Sequence, residues 1–263
     1  MEPGGFPQFP QLDFARDALF LDIDGTIIDI APTPETVVVP ESLKLSLSRL
    51  RERMDGALAL ISGRTLPAID ELFTPLKFAA AGAHGAEIRG KPEGPVERCA
   101  NPLTIAERAA IAPVAKLDPR LRLEDKGYSM AVHYRSAPEL ESKVIGMVRE
   151  EVSRLGGGLR VLCGKAVVEV KARGFNKGTG LQALMRHRSF AGRLPIFFGD
   201  DVTDEDAFAA LPKFSGLGVS VGRLLPGTAQ EVKSPAEVRG WLADMACVTP
   251  ATRSPPSGQN STI

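Results

Sequence analysis

Short apolar runs alternate with helical patterns along most of the chain. Continuous apolar runs are typical of parallel strands covered on both faces, whereas apolar residues at i, i+4 and i+7 indicate a helix packed on a sheet. The predicted strands are Leu19–Leu21, Ala57–Ile61, Phe78–Ala81, Leu194–Phe198 and Gly216–Val221. One predicted helix carries an apolar stripe formed by Leu43, Leu47, Leu50 and Met54. The other predicted helices are Lys177–Arg188, Glu205–Leu211 and Pro235–Met245. The pattern predicts an α/β fold with a doubly wound, mostly parallel sheet of the Rossmann-like type.

A different pattern occupies residues 102–172, where strands of period two alternate with helices. Met130, Val132 and Tyr134 share one strand face, which is typical of a sheet covered on one side only. A hairpin is predicted to turn at Gly164-Lys165 and to place Glu169 on the polar face. The helical patterns are Ile105–Leu117 and Pro138–Leu155. We therefore predict a core domain of residues 13–102 and 174–247, an inserted α+β domain of residues 103–173, and flexible tails at 1–12 and 248–263.

Three of the predicted strands of the core end in polar clusters. Asp22 and Asp24 follow the first strand and lie on one side of an extended segment, and the next residue, Gly25, permits a sharp turn. The other clusters are Ser62-Gly63-Arg64 and Asp200–Asp204, the latter preceded by Lys177 at a helix start. Ligands of open α/β sheets bind outside the carboxyl ends of the strands, so we expect these clusters to form one site.

The residue types in these clusters are chemically complementary. Carboxylates suit a hard cation such as Mg²⁺, while a hydroxyl, a lysine and backbone amides near glycine suit a phosphate. One carboxylate can attack phosphorus and a second, two residues on, can carry protons, with the cation reducing the repulsion between anions. Each cluster alone also fits an ordinary strand end, turn or solvated helix start. Their combination indicates phosphoryl transfer.

Composition limits the partners that this chain can have. Of its 263 residues 43% are hydrophobic, and Lys plus Arg equals Asp plus Glu at 32 each, so no global charge favours nucleic acid or an anionic membrane. The three scattered cysteines argue against a disulfide framework and a zinc site. No apolar run approaches the ~18 residues of a membrane span, and no secretion signal is evident. We expect no nucleic acid, no membrane and a cytoplasmic location.

The ordered motifs resemble those of the haloacid dehalogenase superfamily of phosphatases. They are Asp22-Ile23-Asp24-Gly25-Thr26, Ser62-Gly63-Arg64, Lys177 and Gly199-Asp200-Asp201-Val202-Thr203-Asp204. The resemblance implies that Asp22 is the nucleophile, that Asp24 is the general acid and base, and that Ser62 and Lys177 hold the phosphoryl oxygens. It also implies Mg²⁺ bound by Asp22, the main-chain carbonyl of Asp24, and Asp200. Asp204 would be a further ligand or the partner of one, with Asp201 as the alternative.

The inserted domain resembles the cap of the trehalose-6-phosphate phosphatase family. The segments that carry this resemblance are Leu123–Ser129, His133-Tyr134-Arg135 and Glu169-Val170-Lys171 of the inserted domain, together with Gly199–Glu205 and the Gly82–Gly85 loop of the core. The resemblance implies that Glu124, Lys126 and Glu169 bind sugar hydroxyls. It also implies hydrolysis of trehalose 6-phosphate through an aspartyl-phosphate intermediate. A trehalose-phosphate synthase would be the functional partner. The further candidates for substrate binding are Gly63, Arg64, His84, His133 and Arg135.

Other functions stay open at this point. A capped phosphatase for sucrose phosphate or a mannosyl phosphate would share the core motifs, and a phosphosugar mutase would return the phosphoryl group to a sugar. A catalytically silent regulatory module of trehalose synthesis would have no need for Asp22, Asp24, Lys177 and Asp200 together. Arg64 is equally suited to a phosphate and to a carboxylate on the protein. The sequence therefore indicates the chemistry more firmly than the substrate.

Overall fold

The fold is built on two separate sheets, seen in a computed structural model that describes residues 9–30 and 37–248. The strands in chain order are β1 Asp17–Leu21, β2 Leu58–Ile61, β3 Ala79–Gly82, β4 Glu87–Arg89, β5 Glu97–Arg98, β6 Arg122–Asp125, β7 Ser129–His133, β8 Leu159–Gly164, β9 Val167–Ala172, β10 Leu194–Gly199, β11 Leu217–Val221 and β12 Gln230–Val232. The α-helices are α1 Glu41–Arg53, α2 Leu66–Leu72, α3 Ile105–Ile111, α4 Glu141–Arg154, α5 Lys177–Leu184, α6 Glu205–Phe208 and α7 Pro235–Cys247.

The larger sheet has the strand order β12-β11-β10-β1-β2-β3-β4-β5. All pairs from β12 to β3 are parallel, and only β3–β4 and β4–β5 are antiparallel. β1 and β2 are buried at every residue, as continuous apolar runs require. The chain proceeds from β1 toward β3 in one direction and from β10 toward β12 in the other. The switch point of this α/β sheet is therefore between β1 and β10, where a crevice for ligands forms.

The smaller sheet is fully antiparallel, with the order β6-β7-β9-β8. Its covered face supplies Met130, Val132, Val168 and Val170 to a second hydrophobic cluster. α4 packs on β8 and β9 and adds Val144 and Val148 to that cluster. The period-two pattern predicted this arrangement, because alternate residues of a strand point to opposite faces. The other face of the smaller sheet faces the loops of the larger sheet.

A third, small cluster lies where the segments of the two sheets meet. It consists of Ala83, Ala86, Tyr128 and Phe175, and the rings of Tyr128 and Phe175 meet edge to face with centroids 6.5 Å apart. Buried Lys171 donates a hydrogen bond to the carbonyl of Phe175. The two sheets therefore share a packed joint beside the link at residues 173–175.

Several predicted helices are shorter than their patterns. The pattern over Ile105–Leu117 is α-helical only to Ile111 and continues as a 3-10 helix with Pro113 near its start. The α-helix predicted from Pro138 begins at Glu141, after a 3-10 turn, and Glu205–Leu211 is helical only to Phe208. Pro113 lacks the backbone donor that an α-helix interior needs, which explains the first of these changes. The helix predicted to reach Arg188 ends at Leu184.

Other boundaries also differ. The hairpin turns at Lys165-Ala166, one residue later than predicted, with Ala166 at φ 60°. The pattern did not indicate β4, β5 and β12, which are only two or three residues long. Within the predicted N-terminal tail, Phe9 stacks on Trp241 and Leu12 is buried. Residues 1–8, 31–36 and 249–263, which include most of both predicted tails, lie outside the described residues.

Two expectations from composition concern the whole surface. Cys99, Cys163 and Cys247 are all exposed and unpaired, so no disulfide contributes to the fold. Among the residues that the structure describes, no helix combines the length and the apolar character needed to cross a bilayer.

Candidate active site

Three buried carboxylates meet at the switch point of the larger sheet. Asp22 follows β1, Asp200 follows β10, and Asp204 ends the 3-10 turn Val202–Asp204. One oxygen from each lies within 4.8 Å of the others, and all three residues are buried. Gly25 has φ 90°, and a side chain there would overlap the Asp200 carboxylate. The glycine after the first acidic pair is therefore required both by the turn and by the close approach of β10's loop.

Lys177 balances part of this negative charge. It is the first residue of α5, whose N-cap Asn176 forms a reciprocal capping box with Thr179. Its Nζ donates to Asp22 Oδ1 and to Asp204 Oδ1, both at 2.7 Å. Burial alone would lower the pKa of Lys177, but the carboxylates of Asp204 and Asp22 outweigh it and raise the pKa above its ordinary value. The lysine therefore stays protonated between the two acids.

The donor set fits a divalent cation. Burial raises the pKa of Asp22 well above its ordinary value, and the charges of Asp204 and Asp200 add to the effect against the opposition of Lys177. Lys177 is the buried lysine of the group, and even with the more exposed Lys165 2.9 Å from Asp200, two ammonium groups do not balance three carboxylates that lie so close together. Thr26 Oγ1 lies 3.2 Å from both Asp22 Oδ2 and Asp200 Oδ1. An all-oxygen group of this kind is what Mg²⁺ prefers.

Asp204 and Asp201 have different surroundings. Asp204 Oδ2 accepts the backbone N–H groups of Asp200 and Asp201, each at 3.0 Å, and therefore fixes the loop after β10. Asp201 instead accepts the N–H of Val202 and pairs with Arg223 at 3.6 Å. Only Asp204 belongs to the buried carboxylate group.

Arg64 pairs with Asp24, the second acid of the first motif. Its Nε and Nη2 donate to the two oxygens of Asp24, both at 2.7 Å. A bidentate pair fixes the plane of a carboxylate as well as its position. The sequence left two partners open for Arg64, a phosphate and a protein carboxylate. In the structure Arg64 pairs with the protein carboxylate of Asp24. Ser62, which directly follows β2, accepts the N–H of Arg64 with its hydroxyl oxygen at 3.2 Å and lines the cavity.

The Gly82–Gly85 loop holds His84 against this turn. Ala83 and His84 both have positive φ values, 47° and 56°, which are uncommon for residues with a side chain. His84 is buried, and a Cβ added to Gly63 would lie 2.6 Å from its Nε2. The glycine content of this loop argues against an α-helix interior. The loop forms a short 3-10 turn, Ala83–Gly85, that contains these left-handed residues.

The cap side presents a chain of charged groups toward the core. Glu169 Oε2, on β9, lies 3.2 Å from His84 Nε2 and 3.7 Å from Lys126 Nζ. Lys126 also lies 3.9 Å from Glu124, which lies 2.9 Å from His133 Nε2. Within the described part of the chain, Glu169 Oε1 and the Ser129 hydroxyl are both buried without a hydrogen bond of standard geometry, although Ser129 contributes to lowering the pKa of Glu169. An acceptor buried in this way is costly unless a donor satisfies it.

The pKa shifts of this group have simple causes. Burial alone would raise the pKa of Glu169, but the ammonium of Lys126 and the neighbouring His84 outweigh it and lower the pKa well below the ordinary value. Burial lowers the pKa of His84, so its imidazole is neutral near pH 7 and can donate from Nε2 to Glu169. Glu169 is therefore ionised near pH 7 and accepts hydrogen bonds in the cavity lining.

One cavity of about 300 Å³ joins the two sides. It brings together every predicted site residue except Asp200 and Asp204, which are buried in the adjoining carboxylate group with Asp22. The predicted residues in its lining are Asp22, Asp24, Ser62, Gly63, Arg64, His84, Glu124, Lys126, His133, Arg135, Glu169 and Lys177. Sequence reasoning missed Lys165, Arg120 and Arg122, which line it too. The only signal for Lys165 was its place in a predicted turn.

Comparison with known proteins agrees with this geometry. A family model described as trehalose-phosphatase matches residues 20–235. The chain belongs to that family. The trehalose-phosphatase match covers both sheets and all the predicted site residues, so the resemblance of the core motifs and of the inserted segment is confirmed at the level of the family.

Individual trehalose-phosphatase relatives extend over nearly the whole chain. It is 38% identical to a probable trehalose-phosphate phosphatase of Sinorhizobium fredii, covering 89% of each chain. It is 37% identical to the trehalose-6-phosphate phosphatase of Escherichia coli, covering 89% of this chain and 87% of the relative. The solved C-terminal domain of the C. albicans trehalose-6-phosphate phosphatase superposes with a TM-score of 0.78 over 93% of this chain and all of that domain, at 21% identity. That last similarity supports the fold.

Proposed function

We propose that this chain hydrolyses trehalose 6-phosphate to trehalose and inorganic phosphate, with Asp22 as the nucleophile and Mg²⁺ as the cofactor. The observation that carries the proposal is the single cavity with two chemically different ends. Its core end holds the buried Asp22–Lys177 pair, and its cap end holds the Glu169–Lys126 pair. The first suits a phosphoryl group and the second suits sugar hydroxyls.

The chain's own residues can carry the phosphoryl group in two steps. Lys177 and Ser62 donate to the phosphoryl oxygens while an Asp22 oxygen attacks phosphorus and the bond to the sugar oxygen breaks. Asp24 gives its proton to that oxygen, so the sugar leaves as an alcohol. Asp24 then takes a proton from a water that attacks the aspartyl-phosphate, and inorganic phosphate leaves with Asp22 restored. Arg64 orients Asp24 for both transfers.

The buried carboxylates would hold the cation. Asp22, the main-chain carbonyl of Asp24, and Asp200 are the proposed ligands, and Asp204 supports them by fixing Lys177 and the loop after β10. Bound Mg²⁺ would neutralise the charge that otherwise repels a phosphate from Asp22.

The cap would select the sugar. Glu169 Oε1 would accept a sugar hydroxyl, with Lys126 and Glu124 donating to and accepting from its neighbours, and Arg135 and His133 lining the outer part of the cavity. A buried hydroxyl left unmatched costs roughly 1–3 kcal/mol, so such pairs discriminate between sugars. Trehalose 6-phosphate itself must be supplied by a reaction that joins a sugar to a sugar phosphate, which is the role of a trehalose-phosphate synthase.

Phosphate release from a panel of sugar phosphates, with and without Mg²⁺, tests the proposal. We expect Mg²⁺-dependent release with the highest kcat/KM for trehalose 6-phosphate. A preference for sucrose phosphate or a mannosyl phosphate would retain the chemistry and change the substrate. A sugar phosphate isomer without free phosphate would indicate a mutase, and inactivity on every substrate would support a silent regulatory module.

A further inference from the structure

Lys165 is the one lysine that reaches from the cap hairpin into the carboxylate group of the core. Its Nζ lies 2.9 Å from Asp200 Oδ2, although the two residues are on different sheets. The side chain of Asp200 is buried, whereas that of Lys165 is 54% exposed. The ammonium therefore approaches Asp200 from the solvent side of the cavity. Nothing in the motif pattern assigns a role to this contact.

The hairpin tip is built to hold that position. Gly164 and Val167 pair across the turn, and Ala166 has φ 60°, which leaves Lys165 at the end of the hairpin. A Cβ at Gly164 would lie 3.7 Å from Asp201 Oδ2, so the tip lies directly over the loop after β10. A side chain of lysine length from this tip is sufficient to reach the metal-binding end of the cavity.

The contact occupies an atom that a cation would use. Asp200 Oδ1 accepts from Thr26 and Oδ2 accepts from Lys165, so both oxygens have partners. A divalent ion and an ammonium group cannot share one carboxylate oxygen without repulsion at close range. Lys177 does not compete for Asp200, because its Nζ pairs with Asp22 Oδ1 and Asp204 Oδ1.

We propose that Lys165 is a positioning residue that couples the cap to the loading of the metal site. Its ammonium competes with the cation for Asp200 Oδ2, and the Lys165–Asp200 pair holds the hairpin against the core. When Mg²⁺ is bound, Lys165 leaves Asp200 and its ammonium turns to the phosphoryl group that enters the same cavity. The inference rests on the proposed function, because it needs both a cation at Asp200 and a phosphorylated substrate.

Arg160 offers a matched control. It lies on the same hairpin, and it also pairs across to the core, with Asp206 at 3.3 Å. Arg160 does not line the cavity. Replacing it removes one cap-to-core ion pair whose cation is similarly exposed, at 44% against 54% for Lys165, and whose carboxylate lies outside the buried group. Any effect of Lys165 that is specific to the metal site should be absent from Arg160 variants.

Titration calorimetry with MgCl₂ alone, without substrate, tests the proposal in the wild-type protein and in K165M, K165R and R160M. We expect K165M to bind Mg²⁺ roughly fivefold more tightly at low salt, because a competing positive charge is removed. K165R and R160M should stay within twofold of the wild type. K165M should also show a larger radius of gyration in the metal-free state by small-angle scattering, and a higher KM for sugar phosphate at saturating Mg²⁺.

The outcomes separate the two proposals. Equal Mg²⁺ affinity in K165M and the wild type would overturn the role of Lys165 and leave the phosphatase assignment intact. Equal gains in K165M and R160M would overturn it too, because the effect would then belong to any cap contact. If the wild type binds no Mg²⁺, the metal site fails and the inference fails with it. If K165M does not fold, K165Q in the same titration decides between these outcomes.

Discussion

The two ends of the cavity are built in different ways. At the core end, Asp22 and Asp200 follow buried parallel strands and are almost fully enclosed, so each position is set by the backbone. At the cap end, Glu124 and Lys126 lie on or beside an antiparallel sheet whose face is half open. Their positions depend on long side chains that pair with each other. Under the proposed function, the strand ends would position the reacting groups, and the partly exposed sheet face would select the substrate.

The largest expected effect is the loss of the nucleophile. D22N keeps the shape of the side chain and removes its ability to attack phosphorus, so we expect kcat to fall by at least roughly a thousandfold on every substrate. Phosphate release with trehalose 6-phosphate and with p-nitrophenyl phosphate measures it, and circular dichroism checks folding. An active, folded D22N would remove the basis for treating the core end as the site of reaction.

Lys177 tests how strongly the core end depends on charge balance. K177M leaves Asp22 and Asp204 buried without their shared cation, and breaking a buried ion pair costs about 3–5 kcal/mol of unfolding free energy. Urea unfolding without metal measures that loss, and added Mg²⁺ should restore part of it. K126M at the cap end should cost less than K177M, because the pairs of Lys126 are longer, at 3.7 and 3.9 Å, and Glu169 keeps His84 as a partner. Similar losses in the two variants would contradict the comparison.

Glu169 should separate recognition from chemistry. In E169A the sugar loses a buried acceptor, so kcat/KM for trehalose 6-phosphate should fall by roughly tenfold to a hundredfold. Hydrolysis of p-nitrophenyl phosphate, which has no sugar hydroxyls, should change by less than threefold. Equal losses on the two substrates would mean that Glu169 serves the core end after all. E169Q, which keeps an acceptor oxygen, should fall between the wild type and E169A.

The smallest expected effect concerns His84, which joins the two ends. Burial lowers its pKa below the ordinary value of 6.5, so the unfolded state takes up a proton first as the pH falls. The stability that this residue contributes is therefore complete above pH 6.5 and is lost as the pH falls below it. Between pH 7.5 and 5.5, the wild type should lose about 1 kcal/mol more unfolding free energy than H84Q. Parallel curves would show that His84 is not held neutral.

The sequence predicted the core end more completely than the cap end. Asp22, Asp24, Ser62, Lys177 and Asp200 could be ordered along a parallel sheet because a strand end fixes where its next residue lies. The short strands β4, β5 and β12 escaped detection because two or three residues show no period. Helix ends shifted where Pro113 and the 3-10 turns intervene. These errors did not move the site.

The pattern of hydrophobic and polar residues does not predict which side chains pair with each other. Arg64 had two plausible partners, and its choice of Asp24 depends on the distance between the ends of β1 and β2. Lys165 meets Asp200 only because the hairpin tip lies over the core loop, which no local period encodes. The assignment of sugar contacts to Glu124, Lys126 and Glu169 stays a prediction, although the three are linked in one chain of charges.

Gly63 belongs to the core, but its close packing against His84 connects it with the cap residue Glu169. A methyl group there would press on the His84 ring, and that ring touches Glu169 of the cap. G63A is therefore a change in the turn after β2 of the core that we expect to alter sugar preference through His84 and Glu169. Screens for new substrates that randomise only the cap would miss it, and a directed-evolution library should include position 63.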